Sequence, residues 1–233
     1  MTIDTNSHHR MFDKTISEHN VRRHFQDKAR KMPKKERTRG IILDGIVETI
    51  SLCGLDRTTI KEIVETAGVS HGTFYNHFEN RDEAIRVAAS SVANEIVEMI
   101  IETINRPDKD DEAMAVTVYA FMAAAIAHPS WSKTLSATVG MLDSGIDQSS
   151  RNLEMLIERG RANSVFRVAV TPLLSLQVRA IQALAISTVN TDSDIRNTLT
   201  DTCEAVLRLL GRTPDEASTA VKSIWSQTGT ASK

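Results

Sequence analysis

The chain has 233 residues, 41% of them hydrophobic, enough to bury a sizeable core and too many for a chain disordered throughout. Its 28 Lys and Arg against 30 Asp and Glu leave a formal net charge of -2, which singles out no class of partner. The distribution is uneven: residues 1–39 hold 11 Lys and Arg against 5 acids, whereas residues 88–233 hold 13 against 17, so basic charge gathers at the N-terminal end.

In chain order, residues 1–34 read as a basic arm, with His8 and His9 in a polar tail and with Phe12, Ile16, Val21 and Phe25 spaced only imperfectly for a helix. The arm lacks the apolar core of a signal peptide, and nowhere does the chain approach the ~18 uninterrupted apolar residues of a membrane span. Cys53 and Cys203 each sit in an apolar helical pattern without a CxxC partner, as free thiols do in a reducing compartment. The expectation is a soluble, cytoplasmic protein with no membrane partner.

Strand patterns are almost absent and helical spacing dominates, which predicts an all-α fold. Ile42, Leu43, Ile46, Val47 and Ile50 define an amphipathic helix between Pro33 and Gly54. Ile60, Ile63, Val64 and Ala67 define a second, opened by Thr59 and Glu62 at the spacing of a capping box. A third begins at Ser70, a good N-cap, and turns Phe74 and Phe78, four apart, to one face. A fourth follows Asn80 and carries an apolar stripe from Ile85 to Ile100, ahead of Pro107. Acid-rich residues open a helix that Pro129 closes after His128. Further helices are expected at about 131–142, 146–160 with its end at Gly160, 171–190, 194–210 with its end at Gly211, and 214–226.

Residues 59–78 have the plan of a helix-turn-helix: a helix, a tight turn at Gly68, and a short second helix whose outer face can enter a DNA major groove. With Phe74 and Phe78 inward, His71, Gly72, Thr73, Tyr75, Asn76 and His77 remain on or near the outer surface, next to Ser70 at the helix start. Asn can pair with an adenine edge, Thr can meet a thymine methyl, Tyr, His and hydroxyl groups can donate to phosphates, and Gly72 permits close approach. His71 and His77 lie six apart with no Cys or carboxylate to join them, so the pattern is a poor zinc site, and no metal or other cofactor is expected.

The segment T-x-x-x-I-V-x-x-A-G-V-S-x-G-T-F-Y-x-H-F-x-x-R, with the preceding RGIILDGIVETISLCGLDRTT, resembles the DNA-binding module of the tetracycline-repressor-like (TetR) family over roughly residues 37–90. Gly45 and Val64 depart mildly from it, standing where Ala is usual, as does Arg81 where Lys is common. The resemblance implies that Tyr75 and His77 contact backbone phosphates, that Thr59 and Arg81 do the same from two helix starts, and that His71, Thr73 and Asn76 lie nearest the base edges. It also implies a three-helix DNA-binding domain at 35–84, followed by a helical effector-binding and dimerisation domain at 85–233.

Met114, Tyr119, Phe121, Met122, Trp131, Leu135, Met141, Met155 and Phe166, with His128 as a polar contact, could line a pocket for a small apolar or amphipathic effector, although each apolar residue taken singly reads more simply as ordinary core. The helices near 171–190 and 194–210, with Leu173, Leu176, Ile181 and Leu184 on one and Ile195, Leu199, Cys203, Val206 and Leu210 on the other, offer faces for a four-helix homodimer interface. A twofold dimer would space its reading helices by about 34 Å, matching a palindromic double-stranded DNA operator. No nucleophile–base pair, carboxylate dyad or phosphate loop is found, so no catalytic residue is assigned and an enzyme is not expected. The reading is a transcriptional regulator, most often a repressor in this family. A DNA-binding scaffold without effector, or an α-helical small-molecule binder, is the alternative.

Overall fold

The computed structural model describes residues 23–103, 107–141, 148–189 and 195–228. They form α1 (His24–Lys28), α2 (Lys34–Cys53), α3 (Ile60–Ala67), α4 (His71–Tyr75), α5 (Arg81–Thr103), α6 (Asp110–Ala127), α7 (Pro129–Ala137), α8 (Gln148–Ala162), α9 (Pro172–Val189), α10 (Ile195–Leu209) and α11 (Pro214–Thr228), with a 3-10 turn at Val139–Met141. Among the described residues there is no strand.

Local chemistry sets the ends of the first helices. Pro33, at φ -53°, precedes α2, and Gly54, at φ +79°, takes the left-handed conformation that stops it. The Thr59 hydroxyl accepts the Glu62 amide at 3.4 Å and so caps α3. Only this half of the expected capping box forms, because the Glu62 Oε2 atom is buried without a hydrogen-bond partner. At Gly68, φ +66° closes α3, and the Val69 amide returns to the Val64 carbonyl at 3.0 Å.

Two apolar layers follow from these elements. Ile42, Ile46, Ile50, Ile63, Phe74 and Ile85 bury the contacts among α2, α3, α4 and the start of α5. Met114, Met122, Trp131, Ile157, Val206 and Ala217 fill the bundle of α6–α11. α5 runs unbroken across the expected boundary at 84/85, so one helix belongs to both layers. At Pro129, the chain bends by 115° between α6 and α7.

The acid-rich start of α6 does more than favour a helix N-terminus. Asp110, buried, accepts from Arg159 Nε at 2.5 Å and from Asn163 Nδ2 at 2.7 Å, while Asp111 accepts from Arg212 at 2.7 Å. These charge-assisted bonds pin the end of α8 and the loop after α10 to one helix start.

Several expectations change. α8 continues through Gly160 to Ala162, because Gly160 is a packing site: an added Cβ would lie 2.2 Å from the Phe166 ring. The helix expected at 131–142 begins at Pro129 and ends at Ala137. The arm is docked on the body in its described part. Phe25 is buried, and its amide and that of Gln26 donate to the Asp44 carboxylate of α2 at 3.0 and 2.8 Å. His24 and Lys28 bond Glu95 of α5 at 2.7 and 2.5 Å, and the His24 ring stands edge-on to Trp131 of α7. Lys34, the last residue of the expected arm, opens α2, with Lys35 and Arg37 in its first turns as expected of the helix after Pro33. His8, His9, Phe12, Ile16 and Val21 lie outside the described residues.

Candidate nucleic-acid interface

α4 is only five residues long and is held by its aromatic side. Phe74 and Phe78 are buried, with ring centroids 5.6 Å apart, and the Phe78 amide returns to the Phe74 carbonyl at 3.0 Å. The Arg39 guanidinium of α2 covers Phe78 at 4.7 Å, and its Nη1 reaches the His77 carbonyl at 3.4 Å. The short helix is thereby fixed at both ends: the Ser70 hydroxyl accepts the Thr73 amide at 3.1 Å and pairs with the Thr73 hydroxyl at 2.9 Å.

The polar set faces outward. His71, Gly72, Tyr75 and Asn76 are exposed, while Thr73 and His77 are half-buried. Asn76 is the C-cap residue of α4, one position beyond the helix. Tyr75 is 56% exposed, although its ring leans edge-on against Phe74, so a fixed body carries a free hydroxyl to the surface. Thr59, exposed at the start of α3, lies on the neighbouring helix of the same unit.

Burial and the nearby cations Arg39 and Lys35, against a smaller opposing pull from Glu36, push the His77 imidazole below the ordinary histidine range. Lys35 is exposed at the foot of α2, beside this end of α4. Sequence reasoning counted it only among the basic residues before residue 40; the signal that could have singled it out is helical register counted back from Ile42.

Arg81, expected to contact a phosphate, also bonds within the protomer. Its Nε donates to the Thr58 carbonyl, its Nη2 to the Leu55 carbonyl at 2.5 Å, and its Nη1 to Asp82 at 2.8 Å. It braces the loop between α2 and α3 against the start of α5, and so holds Thr59 in place.

The comparisons with known proteins bear on the same unit. Residues 42–86, which span α2 to the start of α5, match the family described as bacterial regulatory proteins, tetR family. Over 59 residues, 25% of this chain, the protein is 36% identical to YvdT, an HTH-type transcriptional regulator of Bacillus subtilis (strain 168) described as uncharacterized. Over these residues the chain is similar to the DNA-binding part of TetR-family regulators. The aligned stretch spans 30% of YvdT's length. The fold extends the likeness beyond residues 42–86. RolR bound to resorcinol superposes with a TM-score of 0.57 over 81% of this chain and 94% of its own, at 19% identity. FadR of Bacillus subtilis in complex with stearoyl-CoA gives 0.53 over 72% and 96%, at 15% identity.

The C-terminal part holds a cavity of about 50 Å³ walled by α5, α6, α7, α8 and α9. Its apolar wall includes Val97, Ile100, Val118, Phe121 and Ile186, and its polar wall Thr117, Ser149, Asn152, Arg179 and Gln182. Of the residues expected to line a pocket, Phe121 and Leu135 are on this wall and the other eight are not. Met114, Met122, Trp131 and Phe166 are buried in the core, with His128; Tyr119 and Met141 are partly buried against it; Met155 is 61% exposed, beside Glu158, Val170 and Thr171 on the outer side of α8. The reason is that α6 is apolar around nearly its whole circumference, so its sequence has no amphipathic stripe to say which side meets the cavity. Thr117, Val118 and Phe121 are the α6 side chains that do.

Proposed function

We infer that the protein is a ligand-responsive transcriptional regulator that binds operator DNA as a homodimer through α3 and α4. The observation that carries this reading is the division of α4 into a buried Phe74–Phe78 anchor and an outward set of hydrogen-bonding groups that no core contact uses. In this reading Thr59, Tyr75 and His77 hold backbone phosphates, joined by Lys35, and Ser70, His71, Gly72, Thr73 and Asn76 approach the base edges. Arg81 acts as a positioning residue for the loop that carries Thr59. The cavity between α5 and α9 receives the effector, and a ligand shifts the reading heads only as far as it binds one head spacing better than the other.

The dimer surface rests on α9. Its outer face carries Leu173 and Leu184, 60% and 67% exposed, with Gln177 and Ala180 between them. The α10 residues expected to join them do not, since Leu199, Cys203, Val206 and Leu210 are buried within the protomer. α10 instead presents Asn197, Asp201 and Arg208, a polar margin to an apolar strip.

Selection of genomic fragments by the purified full chain, read by sequencing, tests the reading. A palindromic site should emerge with half-sites about one helical turn apart or a multiple of it. Tyr75→Phe and His77→Ala should weaken binding to every fragment by about 3- to 10-fold, while Asn76→Ala should change which fragments are retained. Retention of all fragments by all three variants alike would remove α4 from the interface.

A further inference from the structure

We propose that the corner between α1 and α2 is a second contact to double-stranded DNA, where Arg30, Lys31 and Lys34 hold phosphates outside the half-site that α4 meets. The proposal rests on the reading of α4 as the DNA-facing helix and extends the footprint of that surface.

Residues 29–35 read ARKMPKK, four cations and no acid, with Asp27 and Glu36 as the nearest acids along the chain. Arg30, Lys31, Lys34 and Lys35 are all exposed, and none of the four has an ion-pair partner among the described residues. Basic side chains elsewhere are matched: Lys28 to Glu95 and Glu98, Arg159 to Asp110, Arg167 to Glu216 and Arg212 to Asp111. Unmatched like charges gathered at one corner raise the energy of the free protein, and a polyanion relieves it.

The corner is fixed by its neighbours. Phe25 is buried, and its amide and that of Gln26 are taken by Asp44. The backbone then turns through Ala29 N–H to the Phe25 carbonyl at 3.0 Å and Met32 N–H to the Ala29 carbonyl at 2.9 Å, before Pro33 starts α2. A backbone ordered before binding loses less entropy when it binds.

Its place joins it to α4. Lys35 and Arg39 lie four apart on α2 and so share a face, and Arg39 Nη1 reaches the His77 carbonyl at 3.4 Å. Arg30 precedes Lys35 by five residues, so even a fully extended chain would separate their backbones by no more than about 18 Å. Each DNA strand carries a phosphate about every 3.4 Å of helix axis, so a strand passing His77 and Lys35 runs on within this span. Contacts of this kind set affinity and its salt dependence, while base edges set sequence preference.

The test is fluorescence anisotropy of the full chain on a fragment recovered by the genomic selection, with its flanks, at KCl stepped between about 50 and 200 mM. Arg30→Gln, Lys31→Gln and Lys34→Gln combined should weaken binding by about tenfold or more and lower the slope of log affinity against log salt by about 2 to 3. The fragments retained should stay the same. Arg30→Lys with Lys31→Arg and Lys34→Arg should keep the wild-type slope, as should Lys222→Gln on α11, which removes an exposed charge from the bundle. On a duplex trimmed flush with its half-sites, the wild type should fall to the slope of the triple Gln variant. An unchanged slope in that variant, an equal loss per charge from Lys222→Gln, or no effect of trimming would overturn the proposal. So would a variant that keeps its DNA slope but loses sedimentation with phosphatidylglycerol vesicles, which would assign the corner to an anionic membrane surface. Retention of fragments by the wild type with an unchanged variant slope removes the corner alone, whereas no retention by the wild type removes the reading of α4 and this proposal with it.

Discussion

Asp44 shows how one buried group can tie an N-terminal segment to the body. Burial pushes its carboxyl up from the ordinary aspartate range to about 6, even though two backbone amides donate to it. A raised carboxyl means that the native state holds a proton the unfolded chain has already released, so this group's contribution to stability is greatest below the unfolded value and declines as pH rises towards 6. Between about pH 4 and pH 6 the decline should amount to about 2–3 kcal/mol, and Asp44→Asn should flatten it in chemical denaturation at stepped pH. His77 predicts the opposite partner effect. Its imidazole is held below the ordinary histidine range in the free protein, and a phosphate beside it would favour the protonated form. DNA affinity should therefore rise as pH falls below about 6.5, and the rise should be lost in His77→Ala when fluorescence anisotropy is followed across that range.

Between elements, the close approaches are set where a side chain is missing. A Cβ on Gly45 would lie 2.7 Å from the Ala67 Cβ and 3.1 Å from its Cα, so α2 and α3 can cross this closely only without it. Gly45→Ala gains helix propensity of about 1 kcal/mol but overpacks a contact that includes backbone, and a net loss of about 1 kcal/mol in denaturant titration is expected. Gly40 is the corresponding position for α1: its Cβ would lie 2.5 Å from the Phe25 carbonyl oxygen. Gly40→Ala should release α1 while sparing the core, seen as faster hydrogen exchange at the Phe25 and Gln26 amides with the rest of α2 still protected. The family pattern offers Ala at 45, and the glycine here is explained by how tightly this chain's own α3 is drawn in.

At the scale of the whole molecule, assembly depends on which helix faces remain uncovered. Leu184→Glu on the outer face of α9 should convert a dimer to a monomer in light scattering and weaken operator binding, with the monomer's helical signal unchanged. Cys203→Ser on α10 should leave the dimer intact and cost stability instead, because that thiol is buried against the Ala115 carbonyl at 3.5 Å and its pKa is pushed up to about 12 by burial. The two helices looked equivalent as apolar stripes, and only packing separates them. α10 spends its stripe on α6 and α11, and α9 keeps part of its own outward.

The amino-acid sequence by itself determined the helix-turn-helix. There the governing interactions are local: the Thr59 and Ser70 caps, the left-handed Gly68, and the four-residue spacing of Phe74 and Phe78 act within a few residues of one another, so their pattern is visible in one dimension. It also determined most helix stops, since Pro129, Gly54 and Gly211 act on their own backbone. Tertiary structure alone decided the cavity wall, the docking of α1 and the duty of Arg81. Each depends on residues far apart in the chain, Asp44 with Phe25, Arg81 with Leu55, Arg179 with Ser150, and on rotations of helices whose apolar residues run all the way round. A periodic pattern says that a face is buried only when the opposite face is polar, and α6 has no such contrast.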